Sequence, residues 1–221
     1  MSKEKIKLWV GYSLLAVASL ILFLSTRTNP PVDRATHEAI GTLMGRHAIE
    51  LLGGGAGRLV VITRDIRNVR NPAAEIQLHA FQKAIAGKAR IALTNVAKLD
   101  PLRVPIAAPG DVYQLMKRSG ETDLIVSFAG PPNFPDTPQF RLPGKAPKVL
   151  ALCTGAVARQ ANLKALFKRG LLTRAVVDKE GATRATKAPS DPQAIFDQYY
   201  QIINATSLET QASLAADPTT P

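Results

Sequence analysis

Cys153, the chain's one cysteine, is followed by Thr-Gly-Ala-Val-Ala and then by Arg159. The apolar run ahead of it, Lys148 to Leu152, predicts a strand, and the spacing after it predicts a helix over 154–169. A thiol at such a junction sits where backbone N–H groups and a guanidinium can encircle an oxyanion. The helix N-terminus there would favour the thiolate. The chemistry is phosphoryl transfer, with Cys153 as nucleophile and Arg159 as oxyanion clamp. Asp191, before Pro192, is placed to cap the helix that follows. A cysteine at a strand end is also a good packing residue, so both roles stay open.

The stretch Lys-Val-Leu-Ala-Leu-Cys-Thr-Gly-x-x-Ala-Arg resembles the signature loop of low-molecular-weight phosphatases and thioredoxin-linked arsenate reductases. Those families also use a later Asp-Pro as general acid, which the resemblance assigns to Asp191. The loop departs from the family in three ways. It stands late in the chain, Ala156 and Val157 replace the bracing Asn and Ser, and the extra cysteines of the reductases are missing.

A second set of polar residues falls at the expected strand ends: Thr63, Arg64 and Asp65, then Thr94 and Asn95, then Ser127, Thr154 and Asp178. In an open parallel sheet, ligands collect beyond the carboxyl ends of the strands. Arg64, Asp65, Asn95 and Thr154 are therefore the candidate ligands for a small polar or anionic molecule. Loop-capping chemistry accounts for the same residue types.

The elements that must hold these residues alternate along the chain. Asp33 caps a helix over about 34–52, with Ile40, Leu43, Met44, His47 and Leu51 on one face. Gly53 to Gly57 ends it. Because helix, glycines and strand come in that order, the run reads as a turn and not as a phosphate cradle. Strands are predicted at 59–62, 90–93, 124–128, 148–152 and 173–177. Helices are predicted from Asn71-Pro72 to about 86, over 111–118, over 154–169, and from Asp191 through Ile203. Continuous apolar strands separated by helices mean a three-layer α/β/α domain with a mostly parallel sheet of about five strands. The proline-rich stretch 129–148 reads as a lid or as a crossover between two halves.

The unit Arg58 to Ala86 is similar to the opening unit of type I periplasmic sugar-binding proteins, and Lys148 to Val177 looks like their later unit. The resemblance implies that fold, with a ligand held between two lobes. At this length the second lobe would be missing or reduced.

Three histidines (His37, His47, His79) are scattered, and with a single cysteine neither a metal site nor a disulfide is expected. No cofactor is expected. The net charge of +11 is spread along the chain, and with only 5% aromatics and no recognised motif it does not point to nucleic acid. The uncharged run Leu8 to Leu24 follows Lys3, Lys5 and Lys7, and would reach roughly 25 Å as a helix. The expectation is a retained single-pass anchor in the lipid bilayer through residues 8–24, the N-terminus cytoplasmic and the C-terminal domain extracytoplasmic, periplasmic in a Gram-negative cell. The expected division is 1–26 cytoplasmic stub and anchor, 27–34 linker, 35–206 α/β domain and 207–221 disordered tail. The expected role is binding or interaction in the cell envelope. The alternatives are the cysteine-dependent enzyme and a non-catalytic scaffold whose proline-rich stretch meets an envelope protein.

Overall fold

A nineteen-residue helix, α1 (Arg34–Leu52), opens the larger of two compact units into which the chain divides, Met1–Val32 and Asp33–Pro221. The computed structural model describes residues 9, 12, 15–20, 32–55, 57–65, 71–97, 106–181, 189 and 191–208. Asp33 caps α1, its carboxylate accepting from the Thr36 amide. Gly53 ends the helix at φ 61°, a left-handed turn that a side chain would strain.

The elements that follow are β1 (Leu59–Arg64), α2 (Pro72–Ile85), β2 (Ile91–Ala97), α3 (Pro109–Lys117), β3 (Leu124–Ser127) and β4 (Lys148–Cys153). After them come α4 (Ala156–Gln160), α5 (Leu163–Lys168), β5 (Arg174–Asp178), α6 (Pro192–Tyr199) and β6 (Tyr200–Ile203). One six-stranded sheet results, in the order β2-β1-β3-β4-β5-β6. Its first five strands are parallel, and β6 runs antiparallel to β5 with Asp178 opposite Tyr200 and Ala175 opposite Ile203.

The central strands are buried on both sides, as their unbroken apolar runs require. On one face Leu59, Val61, Leu124 and Leu150 pack under Ile40, Leu43 and Met44 of α1, Phe81 of α2 and Phe196 of α6. On the other, Val60, Ile62, Ile125, Val149 and Cys153 pack under Met116 of α3, Val157 of α4 and Phe167 of α5. Each such large side chain, fully removed from water, stabilises the fold by about 1.5–3 kcal/mol.

Two elements depart from the sequence reading. The sheet has six strands and not about five, because Tyr200–Ile203 leaves the last helix and pairs with β5. The helix expected over 154–169 is broken at Ala161, where Asn162 turns to cap α5 by accepting from the Ala165 amide. The proline-rich stretch joins β3 to β4 of the same sheet and lies on the α3–α5 face. There Phe134 and Phe140 stack at 5.6 Å and the Tyr113 hydroxyl donates to the Arg141 carbonyl. Arg169 pins it, donating to the Phe134 and Pro135 carbonyls with its guanidinium over the Phe134 ring.

In the N-terminal unit, Trp9, Tyr12 and Leu15–Leu20 are helical. Among the described residues no helix is long and apolar enough to cross a membrane. Most of the run Leu8 to Leu24, the linker before Val32 and the tail from 209 lie outside the described residues.

Candidate functional site

The direction of the crossovers reverses between β1 and β3. The chain leaves β1 over the α1–α2 face, whereas α3, the proline-rich stretch and α4–α5 lie on the other. This is the switch point at which an open α/β sheet leaves a crevice beyond its strand ends. Arg64 stands at the end of β1 there. It is half-buried, and burial lowers its hold on its proton. No hydrogen-bond or ion-pair partner meets it among the described residues. On the opposite face of β1, the Thr63 hydroxyl is buried and also lacks a partner among the described residues. Successive strand residues face opposite sides, so Arg64 stands with Asn95 on the α3 side and Thr63 with Val96 on the α2 side.

Asn95 shares Arg64's face of the sheet. It pairs in register with Ile62, two residues below Arg64, so the two Cα atoms lie about 8 Å apart by strand spacing and rise. Its side chain opens into a groove of about 870 Å³ between β2 and α3, floored by Val60, Leu93 and Leu115. Asp65 is half-buried just past β1. Thr154 lies beyond the end of β4, with β3 between it and β1, and its carbonyl accepts from the Val157 amide. The structure therefore brings Arg64, Asp65 and Asn95 to one edge and holds Thr154 apart. The loops leaving β1 and β2, 66–70 and 98–105, lie outside the described residues.

Two of the other strand-end groups, Ser127 and Asp178, are engaged within the fold. Ser127 donates to the Gly130 carbonyl and accepts from the Ala129 amide, closing the turn after β3. Gly130 has φ 81°, and a Cβ on it would press on Val157 and Ile106 at 3.2 and 3.3 Å. The Asp178 carboxylate accepts from the Gly155 amide, tying β5 to the loop after β4.

The cysteine constellation does not assemble. Cys153 is fully buried in the core of the α3–α5 face, where burial pushes its thiol up to about 12. A thiolate nucleophile needs the opposite shift and an open approach. Arg159 is exposed on α4. Asp191 caps α6, which packs on the opposite face of the sheet, and its carboxylate accepts from the Ala194 amide. The residue spacing is present without the geometry.

Sequence reading passed over two further features. Glu50 and Arg174 form a two-pronged ion pair between α1 and β5, beside His47. Asp123 accepts from the backbone and guanidinium of Arg58 and from the Gly120 amide, joining the starts of β1 and β3. These pairs span 124 and 65 residues of chain, which no local pattern records. Among the described residues no cluster of His, Cys, Asp or Glu is arranged to hold a metal.

No family model matches the chain, and no curated protein matches it. Solved structures do. AraP, an arabinose-binding protein from Geobacillus stearothermophilus, overlays with a TM-score of 0.52 at 11% identity over 79% of this chain. A sugar-binding protein of a sugar ABC transporter from Bacillus halodurans gives 0.51 at 11% identity over 79%. The fold is type I periplasmic binding protein-like. The matches span 62% and 64% of those two chains, so this chain accounts for less than two thirds of either. The expected resemblance to type I periplasmic sugar-binding proteins holds at the level of the fold, whereas the resemblance of the Cys153 loop to phosphatases has no support from these neighbours.

Proposed function

We propose that the α/β domain binds a small polar or anionic ligand, a sugar or sugar-acid type of molecule, at the edge formed by the ends of β1 and β2. The carrying observation is Arg64: a half-buried guanidinium at the switch point, without a partner among the described residues, on the same face of the sheet as Asn95. A buried unpaired charge is costly, and an anionic or hydroxyl-rich ligand would offset that cost. Asn95 offers one donor and one acceptor on the same face, and Asp65 and Thr154 belong to the wider rim. The fold it shares with arabinose- and sugar-binding proteins supports a ligand-binding role.

We further propose that residues 8–24 anchor the chain in the bilayer, with the domain outside the cytoplasm. The lysines ahead of the run and the exposed Trp9, Tyr12, Leu15, Val17 and Leu20 support this reading. A non-permeant protease admitted to the outer face of that membrane, with any outer membrane first opened to give spheroplasts, should then degrade the domain, and domain survival would overturn it.

Calorimetry of the detergent-solubilised chain against pentoses, hexoses, their phosphates and their acids tests the binding reading. At least one should bind, and Arg64→Gln should weaken it by at least roughly tenfold with the melting temperature kept. No binding across the panel, or binding indifferent to Arg64, overturns it.

A further inference from the structure

Among the described residues β2 is an edge of the sheet with no strand beyond it, and both of its faces are partly open. Leu93 on the α3 side and Val96 on the α2 side remain 49% and 42% exposed. A cavity of about 570 Å³ lined by Ile49, Leu52 and Ile91 opens beside the start of β2, and the groove of about 870 Å³ flanks it along Leu93 and Leu115. Arg58 and Ala92 line both. Seven residues from Ile91 to Ala97 carry no charge and no proline, the devices that ordinarily blunt an edge strand. A register shift between Leu59 and Val60 marks one irregularity near its start, and the pairing is regular from Leu93 to Ala97. Its outward backbone groups and alternating Leu93 and Val96 side chains are a template for one more strand.

The surroundings select the occupant by charge. Lys88 and Arg90 lead into β2, and Arg118 stands on the groove wall. All three are exposed and in no ion pair among the described residues. Arg58 is already bridged to Asp123, and Asp111 is the one carboxylate lining the groove. Pairing with a second copy would bring both sets of cations onto one seam, which like-charge repulsion disfavours. We propose that β2 accepts an extended, acidic segment of a partner protein as a seventh strand. Backbone bonds would supply the affinity, the two cavities would take its apolar side chains, and Lys88, Arg90 and Arg118 would meet its carboxylates.

The test uses the full chain in detergent and an acetylated octapeptide alternating Glu and Val, against the same peptide with Lys in place of Glu. The acidic peptide should bind saturably and slow amide exchange across Ile91–Ala97. The basic one should bind at least roughly tenfold more weakly. The double variant Lys88→Glu, Arg90→Glu should reverse that preference, and Leu93→Thr should weaken the acidic peptide. Arg64→Gln should change neither, since Arg64 does not line this groove, although Asn95 of the strand-end site does. No binding, equal binding of both peptides, or protection elsewhere overturns the proposal. So does exchange protection of β2 that rises with protein concentration in the absence of peptide, since a second copy would then be the occupant.

Discussion

Glu50 on α1 grips Arg174 at the start of β5 with both carboxylate oxygens, Nη1 to Oε2 and Nη2 to Oε1 each at 2.7 Å. Arg174 Nη1 also lies 2.9 Å from His47 Nδ1. The same ring nitrogen lies 3.1 Å from Glu50 Oε2, so it accepts from Arg174 in one tautomer and donates to Glu50 in the other. The pair fastens the first helix of the domain to its fifth strand.

The pair makes stability depend on acid. The bonds from Arg174 hold the Glu50 carboxyl down to about 2, against the usual 4.5, and burial holds His47 below its usual 6.5. Both groups bind protons more readily in the unfolded chain, so each contribution is present at neutral pH and lost on acidification. Loss from His47 begins as pH falls through 6.5, and loss from Glu50 runs from about 4.5 to 2. Glu50's side chain is 58% exposed, so solvent screening limits the pair to about 1 kcal/mol or less. Urea unfolding of Glu50→Gln should show that deficit at pH 7, and it should vanish near pH 2. A deficit unchanged with pH would rule the pair out as its source.

Gly41 and Gly45 let α1 and α2 approach closely. A Cβ on Gly41 would collide with the Gln77 carbonyl oxygen, and one on Gly45 would lie 2.6 Å from the Ala84 Cβ. Gly→Ala inside a helix normally stabilises by about 1 kcal/mol. Gly41→Ala should instead destabilise by about 1–3 kcal/mol, because the helices must part. Gly110→Ala, in open space on the first turn of α3, should be neutral or stabilising. Thermal melts of the two variants give the contrast, and equal shifts would refute the packing argument.

Asp123 is buried, and its carboxylate accepts from two backbone amides and the Arg58 guanidinium. Burial works against its charge, but those bonds outweigh it and leave the carboxyl below its usual range. Asp123→Ala would orphan the Arg58 and Gly120 amides where Gly57 is pressed against the Thr122 carbonyl. The expected cost is about 2 kcal/mol or more by denaturant titration at neutral pH. A cost under about 0.5 kcal/mol would mean that water replaces the carboxylate freely.

Cys153 should be inert in the folded protein. Iodoacetamide at pH 8 should leave it unmodified until denaturant is added, and Cys153→Ser should destabilise by about 1–3 kcal/mol by burying a hydroxyl. Ligand affinity should not change. Rapid alkylation of the native chain would return the thiol to consideration as a nucleophile.

Layers, strand direction and most element positions were readable because the strands are unbroken apolar runs and the helices carry their own caps. Asp33, Asn71 and Asp191 each accept from an amide three residues on, as their types suggest. Tyr200–Ile203 was misread because Tyr199, Ile202 and Ile203 fit a helical stripe as well as a strand, and only pairing with β5 decides between them. Arg64 was legible as a strand-end cation. Its want of a partner was not, since that depends on every neighbour in space. The Cys153 spacing misled for a related reason: linear separation carries no record of which sheet face a side chain takes, and Cys153 and the α6 cap lie on opposite ones.

The antiparallel β6 decides where the chain departs. Asp33 begins α1 near Tyr200, at the pole of Arg64 and Asp178, whereas Ile203 ends beside Ala175 at the other pole. A fluorescent protein or affinity handle fused downstream of Asn204 would emerge far from the mouth of the crevice and leave it open to solutes. The same handle spliced in just before Asp33 would crowd that mouth.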